Sequence, residues 1–316
     1  MDIAPADKSF LSAVFPPDVL PYIVMAGTHR EPGLPCVRPI SAPEFPGVAY
    51  WFTTRHAGPP RPDGFHREDG VGNAYEEFNL ADHVDDNPDH VAHNRARLLA
   101  AIQPPAVDGA PPFSLHLLRQ VHGAHVVTIP QGAAPQHTMA EGDALVTNQR
   151  RMALGIFTAD CFPVLFVDPE ARCIGAAHAG WRGAVAGVTT ATLEAMEILG
   201  ARRSRIHAMI GPGIHAPSYE VGPGLREEFL RQTPGNGRFF TPVVPGTPGV
   251  TNPDHFLLDL PGYLTQQLVD GGILQQRIHP VSLCTHAHND LFFSHRNAVN
   301  KGVQGCGRQL AVIYVE

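Results

Sequence analysis

Apolar residues gather in short dense runs that recur along this 316-residue chain. The runs at Val48 to Phe52, His125 to Ile129, Ala153 to Phe157, Val164 to Val167, Cys173 to Ala177, Ile206 to Ile210 and Ala311 to Val315 predict strands. Three of them crowd between Ala153 and Ala177, too close together for helical crossovers, so mixed or antiparallel pairing is expected instead of a doubly wound parallel sheet. Between the strands come helical patterns. Asn87 and Pro88 read as a cap and a first-turn proline opening a helix to about Ile102, with Val91, Leu98 and Leu99 inward. A second helix is expected from about Gly183 to Leu199, where Leu193, Met196 and Leu199 form a core-facing row, and a third over roughly Leu260 to Val269. The fold class is therefore mixed α+β. No repeat of fixed period is visible.

Proline and glycine punctuate the rest. Residues 1–46 read as an irregular Pro-rich N-terminal extension, Ala57 to Gly72 as a long loop, and Gln232 to Asn252 as another exposed loop. One catalytic domain over residues 47–316 remains. The apolar stretch from Leu11 to Met25 is broken by Pro16, Pro17, Asp18 and Pro21, so neither a signal peptide nor a membrane span is expected.

Charge and cysteine content narrow the function classes. The formal net charge is −7, from 23 basic and 30 acidic residues with no basic run, which argues against nucleic acid or an anionic membrane as partner. A small-molecule ligand and a monomer or small homo-oligomer are expected. Five cysteines without a Cys-x-x-Cys pair disfavour a disulfide framework and point to reduced thiols in the cytoplasm.

The chemistry concentrates in two blocks, Thr158-Ala159-Asp160-Cys161 and His178-Ala179-Gly180-Trp181-Arg182-Gly183. Cys161 follows one strand-like run and His178 closes another, so both stand at strand ends. With His122 from Gln120-Val121-His122-Gly123 they supply two histidines and a thiolate, a three-ligand set that leaves a fourth position open on a catalytic metal. Plainer readings exist for each residue. Cys161 alone fits a small buried apolar position, Asp160 either a general acid or base or a turn hydrogen bond, and Arg182 either an anion clamp or a surface ion pair. Trp181 fits packing, and His286-Ala287-His288 a solvated loop.

With these blocks in place, the chain resembles the YfiH or laccase-domain family, also called multicopper polyphenol oxidases and associated with purine nucleoside phosphorylase and adenosine deaminase activity. The resemblance runs in order through Thr53-Thr54-Arg55-His56, Phe78-Asn79-Leu80, Gln120 to Gly123, Gly142 to Thr147, Thr158 to Cys161, His178 to Gly183, Gly211 to Ile214, Tyr219 to Gly222, Cys284-Thr285, Phe293-Ser294 and Gly307-Arg308. It implies layered mixed sheets flanked by helices, similar to toxin deamidases that use a Cys-His pair. It also implies a zinc ion on His122, Cys161 and His178, with copper as the alternative. Two departures stand out: the segment between His56 and Asn79 is longer than usual, and His295 occupies a position where the family carries a tyrosine.

The implied reactions are phosphorolysis of adenosine, inosine, guanosine or methylthioadenosine to base and ribose 1-phosphate, and deamination of adenosine to inosine. Asp160, Cys161 and Arg182 are the expected catalytic residues, Asp160 moving protons. Arg55 and Arg182 are expected to hold phosphate, and Asn79 and Gln120 the base or ribose. Two alternatives come from other chemistries. A copper polyphenol oxidase would need several His-x-His pairs, of which the chain offers only His286-Ala287-His288. A metal-free hydrolase or amidase acting on peptidoglycan precursors would use Cys161 as a nucleophile activated by His178 or His122.

Overall fold

Strands buried on both faces dominate the computed structural model, which describes residues 15–26, 34–56, 78–103, 113–130, 132–133, 140–244 and 252–316. Twelve strands, β1 Ile23–Ala26, β2 Leu34–Val37, β3 Val48–Thr53, β4 Ser114–His116, β5 Val126–Thr128, β6 Ala144–Thr147, β7 Met152–Thr158, β8 Phe162–Asp168, β9 Cys173–Ala179, β10 His207–Ile210, β11 Ile278–Pro280 and β12 Gln309–Val315, form two six-stranded sheets. The first runs β1-β2-β3-β12-β7-β4 and the second β11-β10-β8-β9-β6-β5. Both are mixed: β4 with β7, β5 with β6 and β10 with β11 are parallel, and the other sheet pairs are antiparallel.

The sheets face one another. Tyr50, Leu154, Ile156, Ala311 and Ile313 of the first pack against Leu145, Leu165, Val167, Ile174 and Met209 of the second. The alternate residues point outward into helices. Ala153, Phe157, Leu310 and Val312 cover helix α1, Pro88–Ile102, while Val164, Phe166 and Ala177 cover α3, Val188–Ile198, and α5, Leu260–Asp270. This four-layer order explains why the central strands read as continuous apolar runs, since both of their faces are covered.

The helices show where periodicity reads true and where it slips. Asn87 caps α1 as expected, its side chain accepting from the Asp89 N–H at 2.9 Å. Val91 and Leu98 are buried, but the inward position between them is Asn94, and Leu99 is half-buried on the flank. The second expected helix is two, α2 Trp181–Ala186 and α3, because Gly187 adopts φ +83° and turns the chain between them. Helix α4, Pro223–Gln232, carries a single fully buried residue, Phe229, so its pattern gives little signal. Between Gln232 and Asn252 the expected open loop is partly ordered: Phe239 and Phe240 are buried, and Phe240–Pro242 pairs into a three-stranded sheet with Phe256–Leu258.

Residues 1–46 are not uniformly irregular, which corrects that expectation. The strands β1 and β2 extend the first sheet, and Phe15, Val19, Ile23, Val37 and Phe45 join the core between the sheets. The stretch 57–72 lies outside the described residues. Among the described residues no helix is long and apolar enough to cross a membrane.

A histidine chain also fastens this N-terminal segment. Arg277 can only donate, so its Nη1, 3.3 Å from His207 Nε2, makes that nitrogen an acceptor. The His207 Nδ1–H then donates to His279 Nε2 at 3.0 Å, and His279 Nδ1 to Ser41 Oγ at 3.3 Å. Phe45 lies edge-on to His207. Burial, Arg277 and His279 push His207 down to about 4, whereas an unfolded histidine titrates near about 6.5. The unfolded chain therefore binds the extra proton first. Stability is expected to be complete above about pH 6.5 and to fall as pH drops toward 4. Thermal unfolding across that range checks this, and His207→Gln should flatten the slope.

Candidate metal centre

The connection from β7 to β8 crosses from one sheet to the other and carries Cys161 at the start of β8. His178 lies in β9, directly opposite Pro163 of β8 in the antiparallel register. His122 comes from the loop before β5, where its backbone takes φ +61°. The ligand atoms of His122, Cys161 and His178 all lie within 4.8 Å of one another. No other group of three metal-capable side chains is found among the described residues, and His286 and His288 are not drawn to it.

Asp143, just before β6, organises this cluster. One carboxylate oxygen accepts from His178 Nδ1 at 2.9 Å and from the His122 N–H at 2.9 Å; the other accepts from the N–H groups of Gly123 at 2.6 Å and Val121 at 3.3 Å. Asp143 is fully buried. A carboxylate behind one imidazole nitrogen fixes the tautomer and frees the other nitrogen for a ligand. Burial would raise the Asp143 pKa, but the His178 and backbone hydrogen bonds outweigh it and hold the carboxyl below its ordinary range.

The thiol is similarly prepared. Burial pushes Cys161 up, yet the His178 charge and hydrogen bonds from His122 and His178 bring it down to about 6. In return, burial depresses His178 while the Cys161 thiolate and Asp143 raise it to about 9. A thiolate and two imidazoles suit a borderline-soft ion such as zinc or copper. Bonds of about 2.0–2.3 Å could bridge the cluster with small side-chain shifts. His178 is buried, Cys161 half-buried and His122 exposed, so the centre opens to solvent on the His122 side.

Gly180 makes room for it. Its φ of −73° and ψ of 170° suit any residue, so the requirement is space. A Cβ there would lie 2.8 Å from Cys161 Sγ and 3.2 Å from His122 Cδ2. Gly180→Ala is expected to leave unfolding nearly unchanged while weakening metal retention on the order of 10–100-fold, measurable by competition with a chelator.

The other expected site residues divide sharply. Asp160, at φ +87°, is buried beside Cys161, but both carboxylate oxygens are engaged, one by Thr285 Oγ1 at 2.6 Å and the other by the Arg296 N–H at 2.6 Å. Its carbonyl accepts from the Ile214 N–H at 2.8 Å. Asp160 thus ties the segments at Ile214, Thr285 and Arg296 to the strand end that bears Cys161. Gln120 was expected to meet the base or ribose; instead its amide bonds the N–H and carbonyl of Phe157, each at 2.8 Å, clipping the His122 loop to β7. Asn79 is fully buried and bonded to Ala81, Asp86 and the Arg308 N–H, which leaves no face for a substrate.

The arginines differ too. Arg55 donates to the Asn289 carbonyl at 2.7 Å and lies 4.9 Å over the Phe293 ring. Arg182 is exposed and stacks 4.5 Å over Trp181, which packs partly against the helical core. Arg296 and Tyr219 were given no role by the sequence, although Tyr219 opens one of the resembling blocks and Arg296 follows the departure at His295. The Arg296 guanidinium lies 5.5 Å over the Tyr219 ring and donates to the Glu220 carbonyl at 3.0 Å. The charges of Cys161, Asp160 and Arg182 all reach the Tyr219 phenol, whose own pKa is raised chiefly by burial.

The chain is similar to known proteins in sequence and in fold. The family model described as multi-copper polyphenol oxidoreductase laccase matches residues 64–316. A purine nucleoside phosphorylase of Corynebacterium glutamicum is 35% identical over 250 residues, covering 79% of this chain and 92% of that one. Another, of Deinococcus radiodurans, is 46% identical over 198 residues, covering 63% and 68%. The crystal structure of the hypothetical protein YfiH of Bacillus licheniformis superposes with a TM-score of 0.71 at 25% identity, over 92% of this chain and 98% of that one.

Proposed function

The chain belongs to the YfiH or laccase-domain family, and on that premise we propose that it is a metal-dependent purine nucleoside enzyme of the cytoplasm. It phosphorolyses purine nucleosides to free base and ribose 1-phosphate, and deaminates adenosine to inosine. The observation that carries this reading is the cluster of His122, Cys161 and His178 oriented by Asp143. Relatives named purine nucleoside phosphorylase support the substrate class. Five free cysteines support a reducing compartment.

His122, Cys161 and His178 would hold the zinc, which would supply Lewis acidity to a bound nucleoside. Asp143 holds His178 in the tautomer that presents its free nitrogen to the cluster. Asp160 positions Cys161 and the loops around it, and Arg182 offers a cation at the rim. In phosphorolysis a phosphate oxygen bonds to the anomeric carbon as the bond to the purine nitrogen breaks. The bonding pair leaves with the purine, which takes up a proton. In deamination water adds at the amine-bearing ring carbon and ammonia departs.

Incubation of metal-loaded protein with adenosine, inosine and methylthioadenosine, with and without phosphate, tests the reading by mass spectrometry of products. Base plus ribose 1-phosphate only when phosphate is present, and inosine from adenosine without it, are expected. A second reading has its own observation. The Cys161 thiolate beside His178 suits a metal-free Cys-His hydrolase. Nucleoside turnover that disappears on chelation and returns with zinc would exclude it.

A further inference from the structure

We propose that Arg296 and Tyr219, with Arg182 at the rim, form the subsite that holds a phosphate dianion on the Cys161 side of the metal centre. The inference rests on the nucleoside reading for the identity of the anion, but its geometry is independent of it. Arg182 and Arg296 form no ion pair with a carboxylate among the described residues, although Arg296 is half-buried. One Arg296 nitrogen, Nη1, is used on the Glu220 carbonyl, and the remaining guanidinium donors are uncommitted. A half-buried guanidinium with spare donors and no carboxylate suits an oxyanion, which it can bind in a forked arrangement.

Three further features place that anion. The Arg296 backbone N–H is held by the Asp160 carboxylate at 2.6 Å, and Asp160 precedes the ligand Cys161 in the chain, so the arginine is anchored to the metal centre itself. Its guanidinium lies over the Tyr219 ring, and the Tyr219 hydroxyl has no hydrogen-bond partner among the described residues. A neutral phenol with a free O–H donates readily to an oxyanion. The nearest fixed negative charge, Asp160, is already capped by Thr285 and by Arg296's own N–H, which limits its repulsion of the anion.

The competing candidate for this role is weaker. Arg55 was expected to hold phosphate; like Arg296 it gives one nitrogen to a backbone carbonyl, that of Asn289, but the ring beneath it is Phe293, which has no hydroxyl to offer an oxyanion. Replacing the Arg296 side chain leaves the Asp160 contact intact, because that contact uses the backbone. Arg296→Met can therefore lose the anion without losing the clamp.

The test is calorimetric titration of inorganic phosphate into zinc-loaded protein, alongside the phosphate KM for inosine phosphorolysis. The wild type is expected to bind phosphate, with Arg296→Met weakening both constants by at least about tenfold, the scale of a lost charge-assisted pair. Arg296→Lys should recover part of the loss, and Tyr219→Phe should weaken binding less than Arg296→Met. Zinc content and unfolding temperature serve as controls for an intact fold. Wild-type phosphate affinity in Arg296→Met, or no phosphate binding by the wild type, would overturn the subsite. Inosine turnover with an unchanged phosphate KM in Arg296→Met removes the subsite but leaves the nucleoside reading standing. Arg296-dependent phosphate binding without any nucleoside turnover does the reverse.

Discussion

Cys161→Ala is expected to give a folded protein that no longer retains stoichiometric metal. Its nucleoside turnover should fall by more than the roughly 100-fold typical of losing an outer hydrogen-bond partner of a metal ligand. The reasoning starts from the thiolate. Cys161 is the only sulfur in the cluster, and its pKa near 6 keeps it ionised at neutral pH. Alanine removes the anionic ligand and leaves two imidazoles, one of them exposed, which cannot hold an ion with comparable strength. The fold should tolerate the change, since the side chain is small, only half-buried and outside the main apolar clusters. A second consequence is independent of metal. The Cys161 thiolate is the main charge that raises His178, so the metal-free variant should show His178 titrating below its value of about 9. Metal analysis, thermal unfolding and the NMR titration of the imidazole together check the three parts.

The second large effect belongs to Asp143, where four N–H donors converge on two carboxylate oxygens. Asparagine has nearly the same shape but only one acceptor oxygen. Its amide nitrogen would face two donors, so at least two hydrogen bonds are lost in a fully buried position. Asp143→Asn is expected to destabilise the protein by about 2–4 kcal/mol, from buried donors left unsatisfied. Metal affinity should fall about 10–100-fold, because His178 loses the partner that fixes its tautomer. Denaturant unfolding gives the first quantity and chelator competition the second. A variant that lost stability but kept wild-type metal affinity would show that Asp143 serves the loop alone.

Much of this architecture is written in local patterns. Strands such as β8 and β12 lie between two covered faces, so almost every position is apolar and the run is legible without alignment. The cluster of His122, Cys161 and His178 is legible for a related reason: Cys161 and His178 stand at or beside strand ends, where rigid backbone leaves few other tasks for reactive side chains. What stays hidden depends on partners far away in the chain. Strands β1 and β2 are short, β2 carries Pro35, and their place in the sheet comes from pairing with each other and with β3, not from their own periodicity. Helix α4 buries one phenylalanine and so lacks a stripe.

The polar residues follow the same rule. Asn79, Gln120 and Asp160 look like substrate or proton-transfer groups when read beside the metal ligands. Their partners include backbone groups of Arg308, Phe157 and Arg296, which only the folded chain brings near. Asp143 gave one available signal, a carboxylate wedged between Gly142 and the apolar run Ala144-Leu145-Val146. A charged residue at the mouth of a buried strand needs donors, and here they are the His122 loop and His178. Arg296 follows the His295 departure in the sequence, but its contact with Tyr219, far away in the chain, exists only once the chain is folded.

The most direct test of a metal centre that serves nucleoside chemistry is inosine phosphorolysis measured against bound metal. Protein stripped by a chelator and reloaded with graded zinc should regain phosphate-dependent release of hypoxanthine in proportion to bound metal, saturating at one ion per chain. Full hypoxanthine release by metal-free protein, or by Cys161→Ala without bound zinc, would contradict the assignment of His122, Cys161 and His178 as the centre of the reaction.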